Sequence, residues 1–181
     1  VNPGTVSLSN AAKAEIYGAE AALTTLLTDN LQLDVGAAYT HAEYTDYKDA
    51  SAFVLTPIGL STNEFLPDVD GYQMQRAPKW TANLGMVYTI PLSVGSVALS
   101  GNYYYTSKFP FDTAGQYFQK AYDLLNVKAA WTDPSERWEL AVFATNVLDE
   151  KYNAQVLPGL PAIQRTYGEP VSVGISAAFK Y

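Results

Sequence analysis

His41, Glu43, Asp46 and Asp49 are the densest group of potential metal ligands in the sequence. Imidazole and carboxylate side chains at short spacing are the donors that divalent cations take. The plainer reading is a solvated strand end running into a loop, and it is the one preferred here. His41 is also the single histidine, so any Ser-His-acid triad would need it. No G-x-S-x-G turn accompanies it. The chain has no P-loop and no G-x-G-x-x-G. Asp68-Val69-Asp70-Gly71 matches the middle of a calcium loop. Leu66 stands at the first ligand position and Ala77 at that of the bidentate Glu, so the match fails. With no cysteine, disulfides and thiolate metal sites are excluded. The chain is read as a non-enzyme, with no metal and no cofactor.

The other notable residues are aromatic. Tyr44, Tyr47, Phe53, Phe65, Tyr72, Phe109, Phe111, Tyr117 and Phe118 crowd the long-loop ends. Glu43, Asp46, Asp49, Glu64, Asp68 and Asp70 lie among them as a solvated acidic rim. The structural reading is loop packing and an outer aromatic girdle. The functional reading is a ligand-capturing vestibule carried by Tyr47, Tyr72, Phe109 and Phe111, because aromatics offer large contact area at low entropic cost.

Composition limits what can hold these residues. The chain has 181 residues, with 11 Lys and Arg against 18 Asp and Glu, giving a net charge of −7. That balance argues against nucleic acid as a partner, since phosphate binding needs surplus positive charge. Charged residues are 16% of the chain, below the roughly 25% of soluble domains. Apolar residues reach 48%, yet no apolar run approaches the roughly 18 residues of a membrane helix. The apolar residues are spread instead by alternation.

Period-2 alternation recurs from end to end. Trp80, Ala82, Leu84, Met86, Tyr88 and Ile90 share one face, opposite Thr81, Asn83, Gly85, Val87 and Thr89. Similar runs start near residues 31, 97, 125, 138 and 171. Residues 12–27 are ambiguous, since Ala, Leu, Lys and Glu favour helix and Asn10 is a suitable cap. As a strand, Tyr17, Ala19, Ala21 and Leu23 oppose Gly18, Glu20, Ala22 and Thr24. Its neighbours favour the strand, which makes seven candidate strands. Connections alternate in length. Short turns fall at 28–30, 91–96 and 133–137, and long links at about 48–75, 109–119 and 151–166. Short turns at one end and long loops at the other is the layout of an outer-membrane barrel.

A soluble β-sandwich also alternates. Three features favour a barrel. Tyr17, Tyr39, Trp80, Tyr88, Tyr103, Tyr105, Trp131, Trp138 and Tyr181 sit near the ends of apolar faces, as interfacial girdles require. The polar faces are rich in Gly, Ala, Ser, Thr and Asn instead of the Lys and Glu of a solvated face. The strands run to ten or so residues, against roughly five or six in ordinary sheets. Reversing the parity would turn Glu20, Asp34, Lys128 and Glu139 to lipid, at roughly 2–4 kcal/mol for a midplane Lys and somewhat less for each acid.

Specific motifs add a family resemblance. Asn10-Ala11-Ala12-Lys13-Ala14-Glu15-Ile16-Tyr17-Gly18-Ala19-Glu20 resembles the opening of a late barrel strand in TonB-dependent outer-membrane receptors. Arg76-Ala77-Pro78-Lys79-Trp80-Thr81 resembles a recurring strand start in that family. Trp138-Glu139-Leu140-Ala141-Val142, with Asn146-Val147-Leu148-Asp149-Glu150-Lys151-Tyr152, is similar to its N-L-x-D-x-x-Y element. Arg165-Thr166-Tyr167-Gly168-Glu169-Pro170 resembles the lead into its final strand. The last residues fit its aromatic C-terminus, with Tyr181 where Phe is commoner.

The resemblance implies an all-β, antiparallel transmembrane segment of about seven strands, from a plugged barrel of the roughly 22-stranded type. Residues 1–181 would be the C-terminal portion, without the plug and earlier strands. The implied function is import of a scarce nutrient across the outer membrane of a Gram-negative bacterium, most often an iron–siderophore complex, driven by the TonB energy-coupling complex through the plug. The implied partners are outer-membrane lipid, that complex, the small-molecule ligand and the barrel-assembly machinery. The last would read a C-terminal signal made of Gly174, Ala177, Phe179 and Tyr181. Two alternatives stand beside it: a small structural or adhesive barrel closed by an eighth strand from the N-terminal residues, and a soluble carbohydrate-binding β-sandwich.

Overall fold

The computed structural model describes residues 13–181. Asn10, and the N-terminal residues offered as an eighth strand, lie outside them. The described chain is all strand and turn. Its elements are β1 (Lys13–Thr28), β2 (Leu31–Asp46), β3 (Lys48–Leu55), β4 (Ser61–Asp68), β5 (Trp80–Leu92), β6 (Gly95–Thr106), β7 (Phe109–Pro110), β8 (Phe118–Gln119), β9 (Tyr122–Thr132), β10 (Trp138–Thr145), β11 (Asn153–Leu157), β12 (Gln164–Tyr167) and β13 (Ser172–Phe179).

Seven of these form one antiparallel sheet in the order β1-β2-β5-β6-β9-β10-β13. Each long strand pairs with the next long strand along the chain, so the sheet is a meander. These are the seven strands that alternation marks in the sequence. Residues 13–27 of the segment where helix and strand competed enter β1 because the partner supplies a matching face. Tyr17 pairs with His41, Ala19 with Tyr39 and Leu23 with Val35. The sheet is open: β1 and β13 are its two edges and do not pair.

Register aligns side-chain types across strands, since directly opposed residues share a face. Val35, Leu84, Tyr103 and Leu125 form one row. Tyr88, Leu99, Ala129, Val142 and Ile175 form another. The opposite face carries the row Thr24, Asp34, Gly85, Asn102 and Asn126. There Thr24 Oγ1 donates to Asp34 at 2.7 Å and Gln32 Nε2 at 2.9 Å. Lys128 Nζ meets Glu139 Oε1 at 2.7 Å on the same face. The charges expected to avoid the apolar face do so, and Asp34, Lys128 and Glu139 find partners across the strands. Gly174 sits beneath the Phe143 ring, where a Cβ would lie 2.4 Å from Cζ. The aromatic ring therefore covers the one gap in the last strand's polar face.

Nothing covers the apolar face among the described residues. Leu84 is 43% exposed, Val142 54% and Ile175 84%. The reading as a β-sandwich is overturned here, because that fold needs a second sheet packed over this face and the seven long strands make one layer. Buried side chains gather instead at one end of the sheet, where the long connections meet. Those connections differ from the plain loops expected: each holds its own hairpin, β3–β4, β7–β8 or β11–β12. The strands of the second and third hairpins are short, and prolines such as Pro67 in β4 and Pro110 in β7 interrupt the alternation. The other end has only tight turns, one closed by Asp133, which accepts from the Trp138 amide at 2.7 Å.

Candidate functional site: the assembly of long hairpins

The extended end of β2 carries the first hairpin. Tyr44 N–H donates to Tyr72 O at 3.0 Å, Gly71 N–H to Tyr44 O at 2.7 Å and Met74 N–H to Ala42 O at 2.9 Å. The chain turns sharply at Gly71, whose φ of 77° suits glycine. Tyr44, Tyr47, Ala50 and Val69 are buried together, with the two tyrosine rings edge-on at 5.3 Å. Lys48 bridges Asp68 and Asp70, the two carboxylates of the calcium-like stretch. Hydrogen bonds to Asp68 and Asp70 hold the Lys48 ammonium above its ordinary range, and Lys48 holds Asp68 below its own. These carboxylates therefore neutralise a lysine.

The second hairpin is closed by Asp112, which accepts from the amides of Gln116 at 3.0 Å and Tyr117 at 2.8 Å. Phe111, Tyr117 and Val156 form a second buried cluster, against which Phe109 and Ile163 pack. Phe109 and Phe111 meet edge-on at 5.3 Å. The hairpins brace one another. Tyr117 Oη donates to Phe53 O at 3.2 Å, Ser61 N–H to Pro161 O at 2.9 Å, and Asn153 N–H to Gln119 Oε1 at 2.8 Å. Asn146 anchors the third connection. Its Nδ2 donates to Glu150 O at 3.0 Å and Glu169 O at 2.9 Å, while its Oδ1 accepts from Glu150 N–H at 2.9 Å. All polar atoms of this buried side chain are thus used, and they tie the segment after β10 to the lead into β13.

The predicted residues fall in different places. Phe109 and Phe111 come together, while Tyr47 belongs to the other cluster. Tyr47 and Phe111 are buried, whereas Tyr72 is 43% exposed. On β13, Phe179 packs against Trp138 at 4.7 Å, and Tyr181 meets Phe179 edge-on at 5.6 Å. His41, Glu43, Asp46 and Asp49 do not converge. Glu43 lies between His41 at 3.6 Å and Lys79 at 3.4 Å, and Asp46 faces Lys13 at 4.0 Å. Asp112, Gln119 and the role of Asn146 escaped the sequence reading. Only Asp112, before Thr-Ala-Gly, carries a recognisable turn signal.

Burial pushes the Asp112 carboxyl above its usual range despite the backbone amides that oppose the shift. A carboxyl raised in the folded state stabilises the hairpin below its unfolded pKa, and that increment is lost as pH rises through the raised value. Native-state exchange of the Phe111 and Tyr117 amides, corrected for intrinsic rates, should therefore slow toward acid pH. Asp112→Asn should flatten the profile. An unchanged pH profile in that variant would contradict this role.

Comparisons place this geometry among known proteins. Residues 1–147 match a family model described as TonB dependent receptor-like, beta-barrel. The fold is similar to that of the siderophore receptor PiuA from Acinetobacter baumannii, with a TM-score of 0.71 at 20% identity over 93% of this chain and 22% of that one. It is similar to the ferric yersiniabactin uptake receptor FyuA from Yersinia pestis, with a TM-score of 0.58 at 18% identity over 93% and 30%. It is also similar to P. aeruginosa FpvA in an iron–pyoverdine complex, with a TM-score of 0.64 at 15% identity over 92% and 19%. The chain thus spans under a third of the length of these receptors. The curated proteins gave no match.

Proposed function

The chain belongs to the TonB-dependent receptor β-barrel family, and from that premise we propose that it is the C-terminal barrel portion of an outer-membrane receptor importing a scarce nutrient, with an iron–siderophore complex as the leading cargo. The energy would come from the TonB complex, acting through a plug elsewhere in the full receptor. The observation that supports this reading is the uncovered apolar face, since a contiguous apolar surface of this extent needs a membrane or a partner. Aromatics edge the face at both ends. Trp80 pairs with Tyr39 at the long-hairpin end, and Trp138 with Phe179 at the short-turn end. Trp80 and Tyr88 are eight residues apart on β5. That is about 27 Å along a strand, or about 21 Å along the membrane normal at a 40° tilt, close to the roughly 25 Å apolar band of such barrels.

On this reading the polar face lines the lumen, the short turns lie in the periplasm and the hairpins lie outside. Tyr47, Phe109 and Phe111 hold the wall of a ligand vestibule and Tyr72 stands at its rim. Gly174, Ala177 and Phe179 on the edge strand β13, with Tyr181 just beyond it, present the assembly signal, since an edge offers unpaired backbone to a partner strand. Topology is tested by single cysteines in the full receptor and a membrane-impermeant label. In intact cells, positions 60 and 157 should label, and positions 93 and 134 only after lysis. The reverse pattern would invert the orientation, and labelling of all four in the soluble fraction would remove the membrane reading.

A further inference from the structure

A cavity of 590 Å³ lies at the long-hairpin end, lined among others by Tyr72, Gln73, Lys79, Trp80, Lys108 and Phe118. Two features set it apart. First, its lining holds two lysines and no carboxylate, in a chain of net charge −7. Lys79 touches Glu43 at 3.4 Å, but Lys108 makes no ion pair among the described residues and lies 5.7 Å from the centre of the Phe118 ring. Second, one wall is Trp80. That ring belongs to the apolar face, where it tilts against Tyr39 at 4.8 Å and is 54% exposed. One side of the cavity is therefore on the outside of the sheet, at the upper edge of its apolar band.

Ammonium groups just beyond an aromatic girdle sit at the depth of lipid phosphates. Free phosphate would use the lysines but not the rings. A lipid uses both, with its phosphate between Lys79 and Lys108 and its first apolar segment against Trp80 and Phe118. We propose that this cavity is a binding site for a phosphate-bearing lipid headgroup of the outer leaflet. The proposal rests on the reading that the apolar face meets lipid.

The test uses the full receptor in nanodiscs of phosphatidylcholine mixed with phosphatidic acid, with retained lipids counted by native mass spectrometry. The wild type should retain phosphatidic acid preferentially. At about the contribution expected per lysine near a charged membrane surface, the preference should fall about fivefold in Lys108→Gln and about thirtyfold in Lys79→Gln/Lys108→Gln. Both lysines are exposed, so the variants should still fold, and Lys108→Gln leaves the Glu43 contact intact. Equal preference in all three proteins overturns the site. So does displacement by inorganic phosphate without lipid retention, which assigns the cavity to a soluble anion. A receptor that fails to enter the nanodisc overturns the membrane reading itself, whereas one that enters without preference overturns the site alone.

Discussion

Replacing Phe179 and Tyr181 with serine should leave the full receptor largely absent from the outer membrane. Folded-state contacts alone do not produce so large an effect. Tyr181 is fully exposed and touches only the edge of the Phe179 ring among the described contacts. Phe179 is 45% exposed and rests on Trp138. Both lie at the short-turn end, at interface depth, where polar substitutions cost barrels little. Simple anchoring thus predicts a modest stability loss and at most a several-fold drop in amount. A recognition signal predicts receptor that is degraded or aggregated in the periplasm. Tyr181→Ser alone separates the two most cleanly, because it removes almost no packing. Near-normal amounts of membrane-embedded double variant would rule out the signal role.

The long strands were legible in the sequence because each carries enough residues for period 2 to declare itself. The pairings, such as Leu84 with Val35 on one side and Tyr103 on the other, came from the structure, though they join faces that the alternation marks as apolar. Residues 12–27 were ambiguous alone, since helix formers fill them, and from Lys13 on the pairing with β2 decided them. The three outer hairpins were not legible. β7 and β8 have two residues each, too few for any periodicity. Tyr47 and Phe111 had the residue type of ligand contacts but not the exposure, because composition does not report which rings the hairpins bury. Asn146 opens the Asn146–Tyr152 motif, yet its role depends on the carbonyls of Glu150 and Glu169, which only the fold brings together.

The central claim is that the apolar face of the seven-stranded sheet meets lipid and the polar face does not. Two arginine substitutions test it directly. Leu84 lies midway between Trp80 and Tyr88 on the apolar face, and Asn102 lies on the polar face beside Gly85. Both side chains are exposed, so in water each substitution would cost little. In a bilayer, Leu84→Arg should cost roughly 2–4 kcal/mol at this depth. Asn102→Arg should stay within about 0.5 kcal/mol, as is usual for surface positions. The measurement is the denaturant midpoint of the full receptor folded into lipid vesicles. A large loss confined to Leu84→Arg is the expected result; equal losses, or a larger loss for Asn102→Arg, would contradict the account.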